Sequence, residues 1–583
     1  MKTKLLTLLI GILLSGCIED VLDRKPLNLI SDKDVWQSEQ LIDIYLVSLY
    51  DAIPMGFTSR LSQSALTDEA TYPDGAVVKD FGNVSHTLNT GMYAFIRNAN
   101  YFLEQVKTSP LPPEKIAVLT AECRFIRAFY YLDLVKKYGG MPIIQEVQTF
   151  NNNLPELQVK RNTEAEVYDF ILQELDEAAK DLPETQATAN SNRATKYTAL
   201  ALKSRAMLYA GSVAKYGNVQ LNGLAGIPAD KATKYFTESL NAAKAVIQGN
   251  KFALYDKLYN PETKAGDPAA NYQNIFRDEG NKEVIFQKAY RTPDKAHSYD
   301  NWFIPEGYTT NNGSGIAPTL EMVESYEYID GRPGKLEISN KVYNSADAIF
   351  KDKDPRFDGS ILRSGSPFAG RPVQIYRGIY GSNGTLYESL APFPEDPAMR
   401  QVGRDGPFPE GNFSKTGFYI KKYMNTANAV VEPNFSDQNY IEIRYAEVLL
   451  NYAEAAFELG DVPLALDAIN QVRKRAGIKT LTAGELTMER LRNERKVELA
   501  FEDKRLWDIR RWRIGTDLFR NTYLHGLWPY LKYENGQYKY MHKAVSGYPI
   551  DDGLPRVFNE RDYYSTLSGY IATNEQIVNN PGW

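Results

Sequence analysis

A chain of 583 residues, 43% hydrophobic and 24% charged, has enough apolar content for a large packed core and too much for a disordered polymer. Its net charge of −6, with basic residues interspersed among acids, excludes the electrostatic footprint of a nucleic-acid binder. Two cysteines and four histidines, none in a C-x-x-C or H-E-x-x-H spacing, give zinc no ligand set, and no cofactor is expected.

Lys2 and Lys4 followed by the apolar run from Leu5 to Leu14 form an export signal over residues 1–16, too short to cross a bilayer as a helix. Leu14-Ser15-Gly16-Cys17 resembles the bacterial lipobox, which implies cleavage before Cys17 and its acylation. Cys17 is then spent. Cys123, inside a helical pattern, reads as a small buried hydrophobe, so the exported chain is expected without a disulfide. Residues 17–33, with Glu19, Asp20 and Asp23, read as an acidic tether.

An N-terminal helical region is expected over 34–253. Val35, Ile42, Ile44, Tyr45, Val47, Leu49 and Tyr50 predict a helix with a wide buried face. From 56 to 90 no period is sustained, and Asp68, Tyr72 and Phe81 are mixed with glycines; such long irregular stretches carry function or are disordered, and the aromatics favour order. After a helix over 93–106 come two helix pairs. Ala117 to Tyr138, stopped by Gly139-Gly140, is matched with Glu164 to Asp181, whose Thr163 and Glu166 are spaced as a capping box. Lys196 to Tyr216 is matched with Asp230 to Gly249. A third pair lies in 440–583: Tyr445, Val448, Leu449, Tyr452, Ala453 and Ala456 form one stripe, Gly460 ends the helix, Asp461 caps the next, and Pro463 sits where no N–H is needed. One hairpin cannot cover its own face, so the pairs should stack, although the segments between them are too long for a continuous solenoid. Farther on, Glu489 to Trp512 alternates charge signs at helical spacing, which predicts i,i+4 pairing in a scaffold ion network over a buried stripe of Leu499, Leu506 and Ile509, not a catalytic carboxylate cluster.

Between the pairs, 254–439 is rich in Gly and Pro and poor in helical pattern. Glu283 to Gln287 reads as a strand, Tyr299 to Pro305 with Tyr308 as a loop of rings and amides, and Thr319 to Ser325 as a short helix. The whole is expected to be mostly α: a tetratricopeptide-like helical-hairpin scaffold decorated by a loop-rich insertion carrying short strands. Loops held on a rigid frame are where binding residues concentrate.

Five stretches carry a wider resemblance: Cys123 to Ile144 (CRFIRAFYYLDLVKKYGGMPII), Asp354 to Leu362 (DPRFDGSIL), Arg444 to Ala455 (RYAEVLLNYAEA), Glu489 to Trp512, and the ending Asn579-Asn580-Pro581-Gly582-Trp583. With the lipobox they make the chain similar to the SusD/RagB family of Bacteroidetes outer-membrane lipoproteins. The resemblance implies a SusD-like scaffold, lipid anchoring at the cell surface, and partnership with a SusC-like TonB-dependent transporter, over which the protein acts as a nutrient-binding lid. Most of that family handles glycans, and its RagB branch is associated with peptides.

A sugar presents an apolar C–H face and a rim of hydroxyls, which a flat ring flanked by amides and charges binds without catalysis. Trp302 is the expected platform, with Tyr299, Tyr308 and Asn301 beside it in sequence and Asp68, Tyr72 and Phe81 supplied by the irregular N-terminal stretch. The competing reading of each aromatic is packing. No G-x-S-x-G elbow or phosphate loop is present, so no catalytic residue is assigned and the chain is expected not to be an enzyme. A peptide-binding lipoprotein and, behind it, a surface glycosidase with two carboxylates facing one pocket stand as alternatives.

Overall fold

The computed structural model describes residues 32–57, 59, 60, 62–72, 91–149, 154–260, 265–309, 312–339, 341–408 and 411–583. Cys17, Phe81 and residues 18–31 of the tether lie outside the described residues, and the tether's last two residues begin the short helix Asp32–Val35.

The expected helix pairs form where their caps place them. Pro113–Tyr138 begins with proline, and Thr163 caps Glu164–Asp181 by a capping box in which its hydroxyl accepts from Glu166 N at 3.2 Å and the Glu166 carboxylate accepts from Thr163 N at 2.7 Å. Thr195 caps Lys196–Tyr216 in the same way, and Ala232–Gln248 follows. Tyr445–Glu458 ends at Gly460 (φ +85°), Asp461 accepts from Leu464 N at 3.1 Å, and Val462–Ala476 ends on left-handed Gly477. Gly139 and Gly140 do more than stop a helix. A Cβ on Gly140 would lie 2.1 Å from the Asn162 carbonyl and one on Gly139 2.7 Å from that of Leu224, so only glycine lets these segments close on the helix end.

In chain order the scaffold is interrupted, but in space it is continuous. Pro113–Tyr138 packs on Glu164–Asp181, that helix on Lys196–Tyr216, then Ala232–Gln248, and the last packs on Tyr445–Glu458 across an excursion of nearly 200 residues. The break expected between pairs is therefore a break in sequence only. Tyr130, Tyr131, Tyr138, Tyr168 and Tyr235 fill the layers as fully buried rings. On Glu39–Asp51 the buried face is narrower than expected: Ile42, Leu46 and Leu49 are inside, while Ile44 and Val47 are exposed.

The middle region has its own core around Tyr272, Phe357, Phe418 and Tyr423, and it is fastened to the scaffold by buried ions. Arg356 bonds Asp354, Glu494 and Glu498, Arg444 bonds Glu283, Glu498 and Glu502, Arg475 bonds Glu283 and Glu498, and Arg473 bonds Glu327 and Glu494. All of these side chains are buried. The charges of Glu489 to Trp512 thus serve a scaffold network as expected, but they reach mostly across elements instead of pairing at i,i+4. The helix also breaks, into Met488–Glu498 and Arg505–Arg511.

Two further expectations are corrected. Tyr299–Phe303 is a short helix, not a loop. The longest strands lie in the C-terminal region, read as helical: His525–Glu534 and Gln537–Ser546 form a ten-residue hairpin, which joins Ile379–Tyr380 and Leu386–Tyr387 in a four-stranded sheet. Val284–Lys288 pairs antiparallel with Tyr440–Arg444, and Ala70–Thr71 with Ala317–Pro318. Among the described residues no helix is long and apolar enough to cross a membrane.

Candidate functional site

Helical spacing over Tyr299–Phe303 turns the first and last rings to the same side, and that side is the core. Tyr299 is buried among Phe57, Phe303 and Tyr423, at centroid distances of 4.5, 4.6 and 5.7 Å, and its hydroxyl donates to the Lys422 carbonyl at 3.1 Å. Asn301 is also buried: its amide N–H bonds the Val431 carbonyl and its oxygen accepts from Asn312 at 3.0 Å. Trp302 points elsewhere. It is half-buried, edge-on to Phe303 at 6.4 Å and 83°, and its indole N–H meets no partner among the described residues.

The chain then folds back against Trp302. Ser314 N donates to Ile304 O at 2.9 Å and Gly315 N to Trp302 O at 2.8 Å. A Cβ on Gly315 would meet Trp302 O at 2.7 Å and Arg60 Cγ at 2.8 Å, so the loop is glycine because Arg60 passes beneath it. Arg60 donates to Gly313 O at 2.8 Å and its guanidinium lies 5.8 Å from the Tyr72 ring centroid. Tyr72 follows directly on the Ala70–Thr71 strand, whose partner strand Ala317–Pro318 continues from this loop. The structure thus brings Trp302 and Tyr72 to one rim, with Arg60 between them.

Glu306 belongs to the same rim. It is half-buried, one carboxylate oxygen has no hydrogen-bond partner among the described residues, and burial pushes its carboxyl up to about 7 against the opposing fields of Arg60 and Lys415. Its carboxyl therefore changes charge close to neutral pH, and the unpartnered oxygen is itself buried. A separate cavity of about 660 Å³, a size typical of small-ligand pockets, is lined by Phe57, Ser62, Gln63, Tyr299, Phe303 and Asp503 and by none of the rim side chains. Ser62 Oγ and Gln63 N both donate to the Asp503 carboxylate, at 3.0 and 3.1 Å, while the side-chain oxygen of Gln63 has no partner among the described residues.

Several expected ligand residues are occupied by the fold. Asp68 is buried; burial raises its carboxyl, but Arg505 at 2.8 Å and Lys496 at 2.8 Å outweigh that and hold it well below the usual carboxylate range. It is a scaffold ion, not a ligand contact. Asn301 is likewise buried, while Tyr299, though buried, lines the cavity. Tyr308 is half-buried with its hydroxyl on the Phe368 carbonyl at 2.7 Å and one face under the Arg371 guanidinium at 3.8 Å, so that face is no open platform. Phe81 lies outside the described residues. Sequence reasoning missed Arg60 and Glu306, whose only signal was a charge beside glycines or aromatics in an irregular stretch. Among the described residues no group of three or more His, Cys, Asp or Glu side chains converges to hold a metal ion.

Comparison with known proteins gives this geometry a context. The model of the SusD family matches residues 282–583, and one described as "Starch-binding associating with outer membrane" matches residues 20–208. SusD-like protein P2 of Formosa agariphila is 27% identical over 442 residues, 73% of this chain and 71% of that protein. SusD-like protein P38 of the same organism is 23% identical over 540 residues, 87% and 90% of the two chains. Among solved structures, a SusD-like protein from Bacteroides fragilis superposes with a TM-score of 0.70 at 26% identity, covering 96% of this chain and 100% of that one. A "Laminarin binding SusD-like protein" superposes with a TM-score of 0.59 at 18% identity, over 94% and 100%.

Proposed function

The chain belongs to the SusD family, and from that premise we propose that it is a cell-surface lipoprotein that captures oligosaccharide or polysaccharide at the Trp302 rim and delivers it to a SusC-like TonB-dependent transporter in the outer membrane. Acylation at Cys17 anchors it, and it binds without cleaving. The observation that carries this reading is the half-exposed Trp302 ring, whose indole N–H has no partner among the described residues, with Arg60, Tyr72 and Glu306 in the same part of the fold. Ring face, N–H donor, guanidinium and a carboxyl near neutrality match the apolar face and hydroxyl rim of a sugar. The laminarin-binding relative of the same fold supports a glycan ligand. The raised Glu306 carboxyl is what a glycosidase acid would need, but the reaction needs a second free carboxylate facing it. Nearby Asp405 is buried and held by Arg371 at 2.6 and 2.9 Å, which favours capture over cleavage.

The test presents the mature domain, with Cys17 removed, to a panel of neutral and acidic glycans, recording heat of binding and release of reducing ends for wild type and Trp302→Ala. Binding without product, weakened about 30-fold in Trp302→Ala at unchanged melting temperature, is the expected result, an aromatic anchor at such a site being worth about 2 kcal/mol. Product formation assigns hydrolysis instead. Silence across all glycans with heat on peptides assigns the RagB-like peptide function.

A further inference from the structure

The four-stranded sheet has one face on the core and one half-covered face on which Tyr530 is buried and Lys543 is exposed, and this outer face carries side chains that the Trp302 rim does not use. Strand alternation places Trp528, Tyr530 and Lys532 on that face, paired across the hairpin with Lys543, Met541 and Lys539. Leu527 and Leu531 point inward and are buried. Tyr380 joins from the parallel neighbour, where it pairs with Lys532.

These residues form a cluster of rings capped by cations, Tyr380 and Tyr530 being tilted 50° to one another. Tyr380 and Tyr530 stand 5.9 Å apart, and Lys543 Nζ lies over both rings, 5.3 and 4.6 Å from their centroids, while donating to the Tyr380 hydroxyl at 2.7 Å. Trp528 is fixed by its N–H on the Lys415 carbonyl at 2.9 Å, with the Arg377 guanidinium 5.7 Å from its ring. Lys532 and Lys539 share Glu534 at 2.6 and 3.1 Å, and Glu388 stands 3.7 Å from Arg377, whose Nε is buried without a partner among the described residues. Lys543 is different. It is exposed and has no carboxylate within ion-pair distance among the described residues, on a chain whose net charge is −6.

We propose that this outer sheet face is a second glycan surface, selective for acidic polysaccharide, in which Lys543 pairs with the carboxylate or sulfate of one sugar unit while Trp528 and Tyr380 receive the apolar face of its neighbours. The inference rests on the glycan-binding reading of the chain. An anionic ligand supplies the counter-charge that Lys543 lacks, and the half-exposed Trp528 and Tyr380 beside it offer apolar surface to neighbouring sugar units. A lipid surface fits less well, because the large exposed hydrophobic side chains of the protein, among them Ile44, Phe435 and Tyr548, lie elsewhere and none stands out from this face to enter a bilayer.

The experiment uses the whole exported chain carrying Cys17→Ser, with polygalacturonate as the carboxylated probe, carrageenan as the sulfated one, laminarin as the neutral one, and phosphatidylglycerol vesicles. Wild type is expected to bind at least one acidic polymer in a manner that weakens as salt is added, with affinity reduced about fivefold in Lys543→Glu and less in Lys543→Gln. Which polymer responds identifies carboxylate or sulfate. Laminarin binding is expected to be untouched by either variant. Acidic-polymer binding that survives Lys543→Glu, or that Trp302→Ala abolishes instead, overturns the proposal, as does binding to the vesicles alone. If every neutral glycan fails while Lys543-dependent binding of an acidic polymer persists and Trp302→Ala leaves it unchanged, the second surface stands and the Trp302 rim falls.

Discussion

Replacing Glu498 by glutamine tests whether buried ions hold the middle region to the helical stack. Glu498 is fully buried; one oxygen accepts from Arg444 at 2.6 Å and from Arg475, and the other from Arg356 at 2.8 Å. Glutamine has the same shape but keeps a single acceptor and turns an NH₂ group toward a guanidinium. Each arginine retains another carboxylate, Glu283 and Glu502 for Arg444, Glu283 for Arg475, Asp354 and Glu494 for Arg356, so the loss is partial. Breaking a buried pair by removing one partner costs roughly 3 to 5 kcal/mol, and with this sharing we expect the lower end, about 3 kcal/mol. Urea unfolding at pH 7 should show a lower midpoint at unchanged slope. The pH dependence gives a second reading. Burial raises the Glu498 carboxyl, but Arg475, Arg444 and Arg356 outweigh it and hold it far below the ordinary glutamate value of 4.5. Its stabilisation is therefore complete above that value and is lost as pH falls below it, so the gap between wild type and variant should narrow under acid. A loss under about 1 kcal/mol at pH 7, or a gap that widens with acid, would refute the reasoning.

The opposite sign of burial acts on His542. It is buried with both ring nitrogens unpartnered among the described residues, beside Phe350 and Tyr343, and burial lowers it to about 4 from an ordinary 6.5. The neutral ring costs nothing at pH 7, but stability drains as pH falls from 6.5 toward 4, and His542→Phe should recover about 2 to 3 kcal/mol at pH 4.5 relative to wild type in urea melts. Arg161 donates to the carbonyls of Gly140, Tyr138, Leu224 and Val578 and to the Asn580 side chain, at 2.7 to 3.1 Å. Arg161→Ala removes this shared donor, leaving Tyr138 O to Asn580 and Leu224 O to Gly140 N but nothing among the described residues in its place at Val578 or the Asn580 oxygen, and limited proteolysis should release the C-terminal segment before the helical stack is cut. A Cys17→Ser chain should move from the detergent to the aqueous phase in a detergent partition, and wild type should not.

The scaffold was legible because its signals are local. Thr163 with Glu166, Asp461 with Pro463, and Gly460 and Gly477 each fix a helix end within a few residues, and the structure places the ends there. The long hairpin carried an equally local signal that went unread: Asn535-Gly536, both at positive φ, between runs of alternating side chains. The ion network was foreseen as a network but not in its geometry, since no spacing announces that Glu498 meets Arg356 from 142 residues away. The site was the least legible part. Trp302 and Tyr72 do share a rim, yet their neighbours in sequence, Tyr299 and Asn301, face the core, because a five-residue helix sends adjacent side chains in different directions. Arg60 joins the rim through a turn of chain about 250 residues distant, which no periodicity encodes.

The central claim is that the rim built from Trp302, Arg60, Tyr72 and Glu306 holds a glycan. Hydrogen exchange of the mature protein, with and without a neutral oligosaccharide it binds, reads that claim segment by segment. Slowed exchange is expected in the backbone around residues 302–315 and 60–72, with none of that slowing in Trp302→Ala. Protection confined to other segments, with 302–315 exchanging at its free rate, would contradict it.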